Sequence, residues 1–350
     1  MAEKTEINQI LSKFDADKSR LMDILLSISD LQGYISQKDM QAISDSQGIS
    51  MAEVQETASF YHFFSSRPRG KYNIYLDNSI TAVLKGREKV KKAFETYCGI
   101  SFGQVSEDGL FGLFDTSCIG MNDQEPAAII NDKVFTNLTP YRVKHLAEGM
   151  QAGLPVEELM YEDYGSGNNA DPDVRAMVTN NIRKKSIILK NDYEPFRLLE
   201  SKITGRSPEE VVAEIEASNL RGRGGAGFPT GLKWRFGRRT PGKHRVIICN
   251  ADEGEPGTFK DRVLLTEYPE LVFEGMVVAA FATGSDIGLL YLRYEYKYLL
   301  RFLNRKLEEM RKKHFLGKNI AGIEGFHFDI RIQLGAGAYV CGEESALIES

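Results

Sequence analysis

The stretch LRGRGGAGFPTGLKW, Leu220 to Trp234, decides how the second half of the chain is read. Five glycines, Gly222, Gly224, Gly225, Gly227 and Gly231, fall between Arg221 and Gly231, and a backbone without Cβ atoms lets N–H groups converge on a phosphate. From Arg221 to Arg245 there are eight Lys or Arg residues and no acid, in a chain whose 44 basic and 49 acidic residues leave a net charge of −5. That local reversal suits a bound phosphate ester. Gly222, Gly224 and Gly227 also satisfy GxGxxG, but a Rossmann site needs a strand immediately before its glycines. Here Ser207, Pro208 and Glu210 supply an N-cap, a proline at the first helical position and a capping-box carboxylate, which predicts a helix over about Pro208 to Ala217. A Rossmann unit proper is rejected on that ground, and a Walker A loop is excluded because its GxxxxGK(S/T) spacing is missing. A flexible loop between helices is the competing reading.

Downstream, an apolar strand over Val246 to Cys249 delivers Asn250, Asp252, Glu253 and Glu255 in the turn CNADEGEPGTFKDR. Three carboxylates within four residues repel one another unless cations, ribose hydroxyls or ring N–H groups answer them. The turn reads as ligand-facing, with a solvated acidic turn as the alternative. A third element, LGAGAYVCGEESALIES, carries Gly335, Gly337, Tyr339, Gly342, Glu343 and Glu344. Glycines at a strand-to-helix transition leave room for a planar ring, and the two acids would open a helix where they suit its dipole. Helix-start stabilisation alone could account for them.

Upstream, residues 5 to 62 carry helical periodicity: Ile7, Ile10, Leu11 and Phe14, then Leu21, Ile24, Leu25, Ile28 and Leu31. A small helical bundle is expected there. Strands are expected over Tyr72 to Leu76, Leu110 to Phe114, Ala127 to Ile130 and Val134 to Thr136, and helices over Glu88 to Tyr97 and Val143 to Met150. That order suggests a thioredoxin-like unit. YGSGNNADPD, Tyr164 to Asp173, concentrates turn residues and is the linker candidate. The expected division is 1–162, a linker over 163–175, and 176–350.

Composition bounds the whole. At 350 residues, with 42% hydrophobic and 27% charged residues, the chain is a folded protein of two or three domains. Its mild acidity argues against a general nucleic-acid binder. Cys98, Cys118, Cys249 and Cys341 are too scattered for a disulfide framework or a CxxC pair. The first thirty residues hold no apolar run of signal-peptide length, and Met276 to Phe281 with Leu271 to Phe273, broken by Glu274, falls short of the roughly 20 residues of a membrane span. A reducing cytoplasm and no direct membrane insertion are expected.

Leu220 to Arg262 together with Gly335 to Ser350 resemble the flavoprotein subunit of respiratory complex I and its relatives in NAD-reducing hydrogenases and NAD-dependent formate dehydrogenases. The first 160 residues are similar to the thioredoxin-like 2Fe-2S subunit of the same systems, through ETASFYHFF at Glu56 to Phe64 and FDTSCIGMNDQEPA at Phe114 to Ala127. Fusion of the two in this order most resembles the diaphorase subunit of the NiFe hydrogenases of that family. The resemblance implies an α/β fold: a helical bundle and thioredoxin-like module, then a Rossmann-like domain that binds FMN and NADH.

By carry-over, Gly222, Arg223, Gly224, Gly225, Ala226, Gly227 and Phe228 would shape the nucleotide pocket, and Lys233 would offer its charge to flavin or phosphate. Phe228 and Phe236 would stack on a ring. Asn250, Asp252 and Glu255, with Glu253 beside them, would serve the flavin, and Tyr339, Gly342, Glu343 and Glu344 the NADH face. The implied reaction is hydride transfer between NADH and FMN, with electrons exchanged with an iron-sulfur electron-transfer subunit and hydrogenase subunits. Formate dehydrogenase and complex I are alternative settings, and a non-catalytic assembly scaffold is the alternative of another class.

Three departures from the family pattern follow. Its four cluster cysteines match Asp77, Ala82, Cys118 and Asn122 here, so no 2Fe-2S cluster is expected in the first module. Cys98, Cys249 and Cys341 read as packed thiols. The family's 4Fe-4S cysteines lie beyond the GEE motif, and the chain is expected to be part of a longer polypeptide. Tyr294 stands where relatives have glycine, which puts ligand room there in question.

Overall fold

Serine and glycine divide the first sixty residues into four helices, α1 (Ala2–Lys13), α2 (Leu21–Gln32), α3 (Gln37–Gln47) and α4 (Met51–Phe60). The computed structural model describes residues 2–14, 17–160, 171–180, 194 and 196–350. Ser36 and Asp39 form a reciprocal capping box on α3, Ser50 caps α4, and Gly33 and Gly48 end α2 and α3 in the left-handed conformation. Leu11, Ile24, Leu25, Ile28, Ile43 and Val54 fill the core between them. Leu31, the last residue of the expected stripe, stays 42% exposed.

The next module contains β1 (Tyr72–Asp77), α5 (Ile80–Leu84), α6 (Arg87–Cys98), β2 (Gln104–Val105), β3 (Phe111–Thr116), β4 (Ala128–Ile130), β5 (Lys133–Phe135) and α7 (Pro140–Gln151). The sheet order is β2-β3-β1-β4-β5, with β1 parallel to β3 and the other pairs antiparallel. Ile74, Leu76, Phe94, Leu113, Val143 and Leu146 pack between this sheet and its helices. The expected thioredoxin-like order is present, with β2 and α5 added to it.

Most of the expected linker lies outside the described residues. Its described end is helical: α8 (Pro172–Arg175) is capped by Asp171, which also pairs with Arg305, and Val174 is fully buried. A proline after an N-cap aspartate starts a helix as readily as it ends one, so the turn-rich composition that read as linker conceals a helix start at this end.

The second half runs α9 (Arg197–Ile203), α10 (Pro208–Ala217), α11 (Thr230–Arg239), β6 (Val246–Ala251), α12 (Lys260–Glu267), α13 (Pro269–Thr283), β7 (Ile287–Leu292), α14 (Leu300–Lys312), β8 (Asp329–Leu334) and α15 (Glu344–Glu349). Strands β6, β7 and β8 form a parallel sheet in that order, Ile247 beside Gly288 and Gly288 beside Ile330. Parallel neighbours need crossovers, supplied here by α12 with α13 and by α14. Phe273, Met276, Val277 and Ala280 of α13 share a core with Leu290, Leu292 and Ile330. On the other face Val246, Ile248 and Ile287 are 44%, 39% and 37% exposed, although parallel sheets usually have both faces covered.

The segment before the glycines is α10, opened by the expected Ser207–Glu210 capping box, so a helix stands where a Rossmann site requires a strand. Phe63, Tyr75, Ile119 and Ile129 belong to the same buried cluster as Ala251, Leu290, Leu292 and Tyr296, so the two halves share a core. Among the described residues no helix is long and apolar enough to cross a membrane.

Candidate functional site

The glycine stretch forms a pinned loop between α10 and α11. The Gly222 N–H donates to the Phe228 carbonyl and the Thr230 N–H to the Leu220 carbonyl, each at 2.9 Å. Within it Gly224, Gly225 and Gly227 have no atom within 4 Å of the place a Cβ would take, and the latter two have φ of +109° and +62°. Arg223 and Ala226 are exposed on the loop, and Phe228 and Phe236 present rings that are 46% and 54% exposed. Gly231 has a different task. A Cβ there would stand 2.6 Å from the Glu216 backbone nitrogen, so it lets α11 approach α10 rather than a ligand.

The acidic turn leaves the carboxyl end of β6. Asn250 Nδ2 donates to the Cys341 carbonyl at 2.7 Å, and Asn250 Oδ1 accepts from the Asp252 N–H at 3.1 Å. Asp252 lines a small cleft with Ser117, Gly254, Arg293, Glu295, Gly337 and Tyr339. Burial pushes its carboxyl up to about 7, against the opposing pull of the Arg293 charge. Glu253 turns inward, accepting from the Asp261 and Arg262 N–H groups and from the Tyr296 hydroxyl at 2.7 Å. Its carboxylate is spent inside the turn rather than at the cleft that Asp252 lines. Glu255 is exposed.

The third element meets the other two. The Tyr339 ring, 71% exposed, rests against Gly254 so closely that a Cβ there would be 2.9 Å from it. Glu343 is the N-cap of α15, accepting from the Ser345 and Ala346 N–H groups, and its bond with Ser345 holds its carboxyl below the usual range. The helix-start reading therefore accounts for Glu343. Glu344 points the other way and pairs with Lys233 at 2.7 Å, bridging α11 and α15; Gly342 is exposed beside them. Open glycines, exposed rings and a charged pair make a cradle suited to a cofactor with phosphate and a flat ring.

At the four positions matched to cluster cysteines, Asp77 accepts from the Ser79 and Ile119 N–H groups at 2.6 and 2.9 Å, Ala82 is buried, and Asn122 Nδ2 donates to Cys118 Sγ at 2.8 Å. Burial, then the Asp77 charge, pushes the neighbouring Glu125 carboxyl up to about 10. Among the described residues no group of three or more His, Cys, Asp or Glu side chains is arranged to hold a metal ion. Burial raises the thiols of Cys98, Cys249 and Cys341 to about 12, 11 and 12, as expected for packed cysteines.

Two arginines escaped the sequence reading. Arg262, fully buried, grips Asp123 through both its oxygens at 2.9 and 2.8 Å and donates to the Gly120 carbonyl. Arg293 donates to the carbonyls of Cys118 and Glu253 and pairs with Glu295. Their partners in the first module lie 139 and 175 positions away, and no local spacing marks such pairs. Tyr294 is also accounted for. It stacks on Phe63 with centroids 4.3 Å apart, so its ring fills a seam between the modules.

Residues 7–151 match the family described as thioredoxin-like 2Fe-2S ferredoxin, and residues 215–350 match the Nuo51 FMN-binding domain. The chain is 46% identical to the alpha subunit of the NAD-reducing hydrogenase HoxS of Cupriavidus necator, over 99% of this chain and 57% of that one. A subunit of the NADH-quinone oxidoreductase of Aquifex aeolicus is 52% identical over 43% of this chain and 34% of its own length. A crystal structure of an NAD+-reducing NiFe-hydrogenase in the air-oxidised state superposes with a TM-score of 0.77 at 38% identity, covering 93% of this chain and 53% of that one. The chain thus spans little more than half of the hydrogenase subunits it matches.

Proposed function

We propose that the chain, whose residues 7–151 match the thioredoxin-like 2Fe-2S ferredoxin family and residues 215–350 the Nuo51 FMN-binding domain, is the diaphorase module of an NAD-reducing hydrogenase. The observation that carries this is the convergence of three motifs on one open cradle, joined by the Lys233–Glu344 pair and the contact of Tyr339 with Gly254. FMN, when bound, supplies the chemistry of taking a hydride from the nicotinamide and releasing electrons singly. The open N–H groups of Gly224, Gly225 and Gly227 would hold phosphate, Phe228 and Phe236 would stack on a ring, and Asn250 and Asp252 would hydrogen-bond the flavin. Electrons would pass to iron-sulfur and hydrogenase subunits of a hetero-oligomer, a reading supported by the likeness to an NAD+-reducing NiFe-hydrogenase structure. Flavin absorbance of the full-length protein at saturating FMN, bleached by NADH, tests the proposal. Absent binding, or binding without bleaching, overturns it.

We further propose a preference for NADH over NADPH. A carboxylate near the adenine ribose accepts from its hydroxyls and repels a 2′-phosphate. Of the two acids, Glu343 is turned onto the helix-start N–H groups, whereas Glu344, paired at 2.7 Å with Lys233 on the surface, keeps an exposed carboxylate that can accept further and is the discriminating residue. Glu344→Gln should cut the NADH:NADPH ratio of kcat/KM by on the order of tenfold, the loss of one charge interaction of about 1.4 kcal/mol. An unchanged ratio would remove Glu344 from that role.

The first module is proposed to hold no 2Fe-2S cluster. Such a cluster takes four thiolates in this family, and here Asp77 and Asn122 satisfy backbone and thiol partners instead. Iron and acid-labile sulfide analysis of the 350-residue chain decides the matter: one cluster per chain would sink the reading.

A further inference from the structure

We infer that the segment Tyr61–Phe63, at the end of the N-terminal helices, positions the glycine turn from Gly335 to Tyr339, with Phe63 as the positioning residue for the cofactor cradle. The inference rests on the FMN and NADH reading above, because that turn carries Tyr339 to the cradle.

The turn has little to order it from within. Gly335 and Gly337 contribute no side chains, and an unrestrained glycine backbone loses more conformational freedom on ordering than any other. Two consecutive N–H groups from outside restrain it: His62 donates to the Gly337 carbonyl and Phe63 to the Ala336 carbonyl, both at 3.1 Å. The Phe63 ring lies where a Gly337 side chain would go, since a Cβ there would meet Phe63 Cδ2 at 2.4 Å, and Gly337 has φ of +85°. Ala336 is itself buried in the core of the N-terminal helices.

Phe63 can act as a fixed wall because it is held from two further directions. It is 6% exposed, stacked on Tyr294 at 4.3 Å and 24°, and met edge-on by Tyr75 of β1 at 5.2 Å. The helices, the thioredoxin-like sheet and the flavoprotein half therefore meet at this ring. That gives ETASFYHFF a task near the cradle, and Tyr294 becomes half of the clamp. A turn ordered in advance spares the ligand that ordering cost, so the clamp should appear in affinity and less in turnover.

The test uses the full-length protein and three variants, Phe63→Ala, Phe63→Leu and Tyr294→Ala. FMN affinity is read by quenching of flavin fluorescence, and KM and kcat by NADH oxidation. Phe63→Ala should weaken FMN binding and raise the KM for NADH on the order of tenfold, with kcat within about twofold. Phe63→Leu should restore most of the affinity, and Tyr294→Ala should reproduce part of the loss without touching Phe63. Should Phe63→Ala not fold, Tyr294→Ala and Phe63→Leu carry the test, and wild-type affinity in Tyr294→Ala overturns the inference. Folded variants that bind FMN as the wild type does overturn it alone. A wild-type protein that takes up no FMN overturns the reading beneath it, and the inference with it.

Discussion

Glu125 buries a carboxyl group, 4% exposed, beside Asp77 at the positions matched to cluster ligands. Burial first, then the Asp77 charge, raises it to about 10 from 4.5. The folded chain therefore keeps a proton across that interval which the unfolded chain has released, and stability falls as pH rises through it. Each unit of such a shift corresponds to about 1.4 kcal/mol. Glu125→Gln presents a neutral group of the same shape that can still accept from the Ala127 N–H. Urea denaturation at pH 5 and pH 8 should show the variant gaining on the wild type between them, by about 4 kcal/mol at most. Parallel stabilities at the two pH values would mean that Glu125 is ionised in the fold. This pair was not legible in the sequence: Asp77 ends β1 and Glu125 lies in the loop before β4, and only the pairing of those strands brings them together.

Elements were legible where their ends carry their own chemistry. The Ser207 capping box gave α10 its start, Ser36 forms another on α3, and Ser50 and Thr139 cap α4 and α7 through a single side-chain bond each. The short elements β2 and α5 were not foreseen, α5 being only five residues long although Ser79 caps it, and the turn-like composition of Asp171 to Asp173 concealed the start of α8. Glycine roles were half legible. Spacing identified the loop glycines but could not separate Gly231, which is buried against Glu216. Two alanine substitutions in one helix make that distinction measurable. Gly231→Ala places a Cβ 2.6 Å from the Glu216 nitrogen, so α10 and α11 must separate at a cost of about 1–3 kcal/mol. Gly237→Ala, in the same helix with open space around it, should gain up to about 1 kcal/mol from helix propensity. Chemical denaturation of the two variants tests the contrast, and equal effects would show that Gly231 is not a packing glycine.

At the scale of the molecule, the sequence suggested two modules on a linker, whereas the structure gives them a common core and two buried arginine clamps. The modules themselves were readable because periodicity and motifs are local. Their docking was not, since it rests on pairs such as Asp123 with Arg262, whose proximity no pattern of neighbours encodes. Arg262 has no exposed surface, and both guanidinium–carboxylate contacts to Asp123 lie at the seam. Removing one partner of a buried ion pair leaves the other charge without compensation, which costs about 3–5 kcal/mol. If the seam is part of one cooperative unit, Arg262→Ala should lower the stability of both halves together and leave unfolding in a single step. Trp234, the one tryptophan, reports on the flavoprotein half by fluorescence, while exchange of the amides of Tyr72 to Asp77 reports on the thioredoxin-like sheet. Both probes should shift by the same free energy in the variant. A loss confined to the Tyr72–Asp77 amides, with the Trp234 transition unmoved, would show that the modules fold independently and that Arg262 serves only the first.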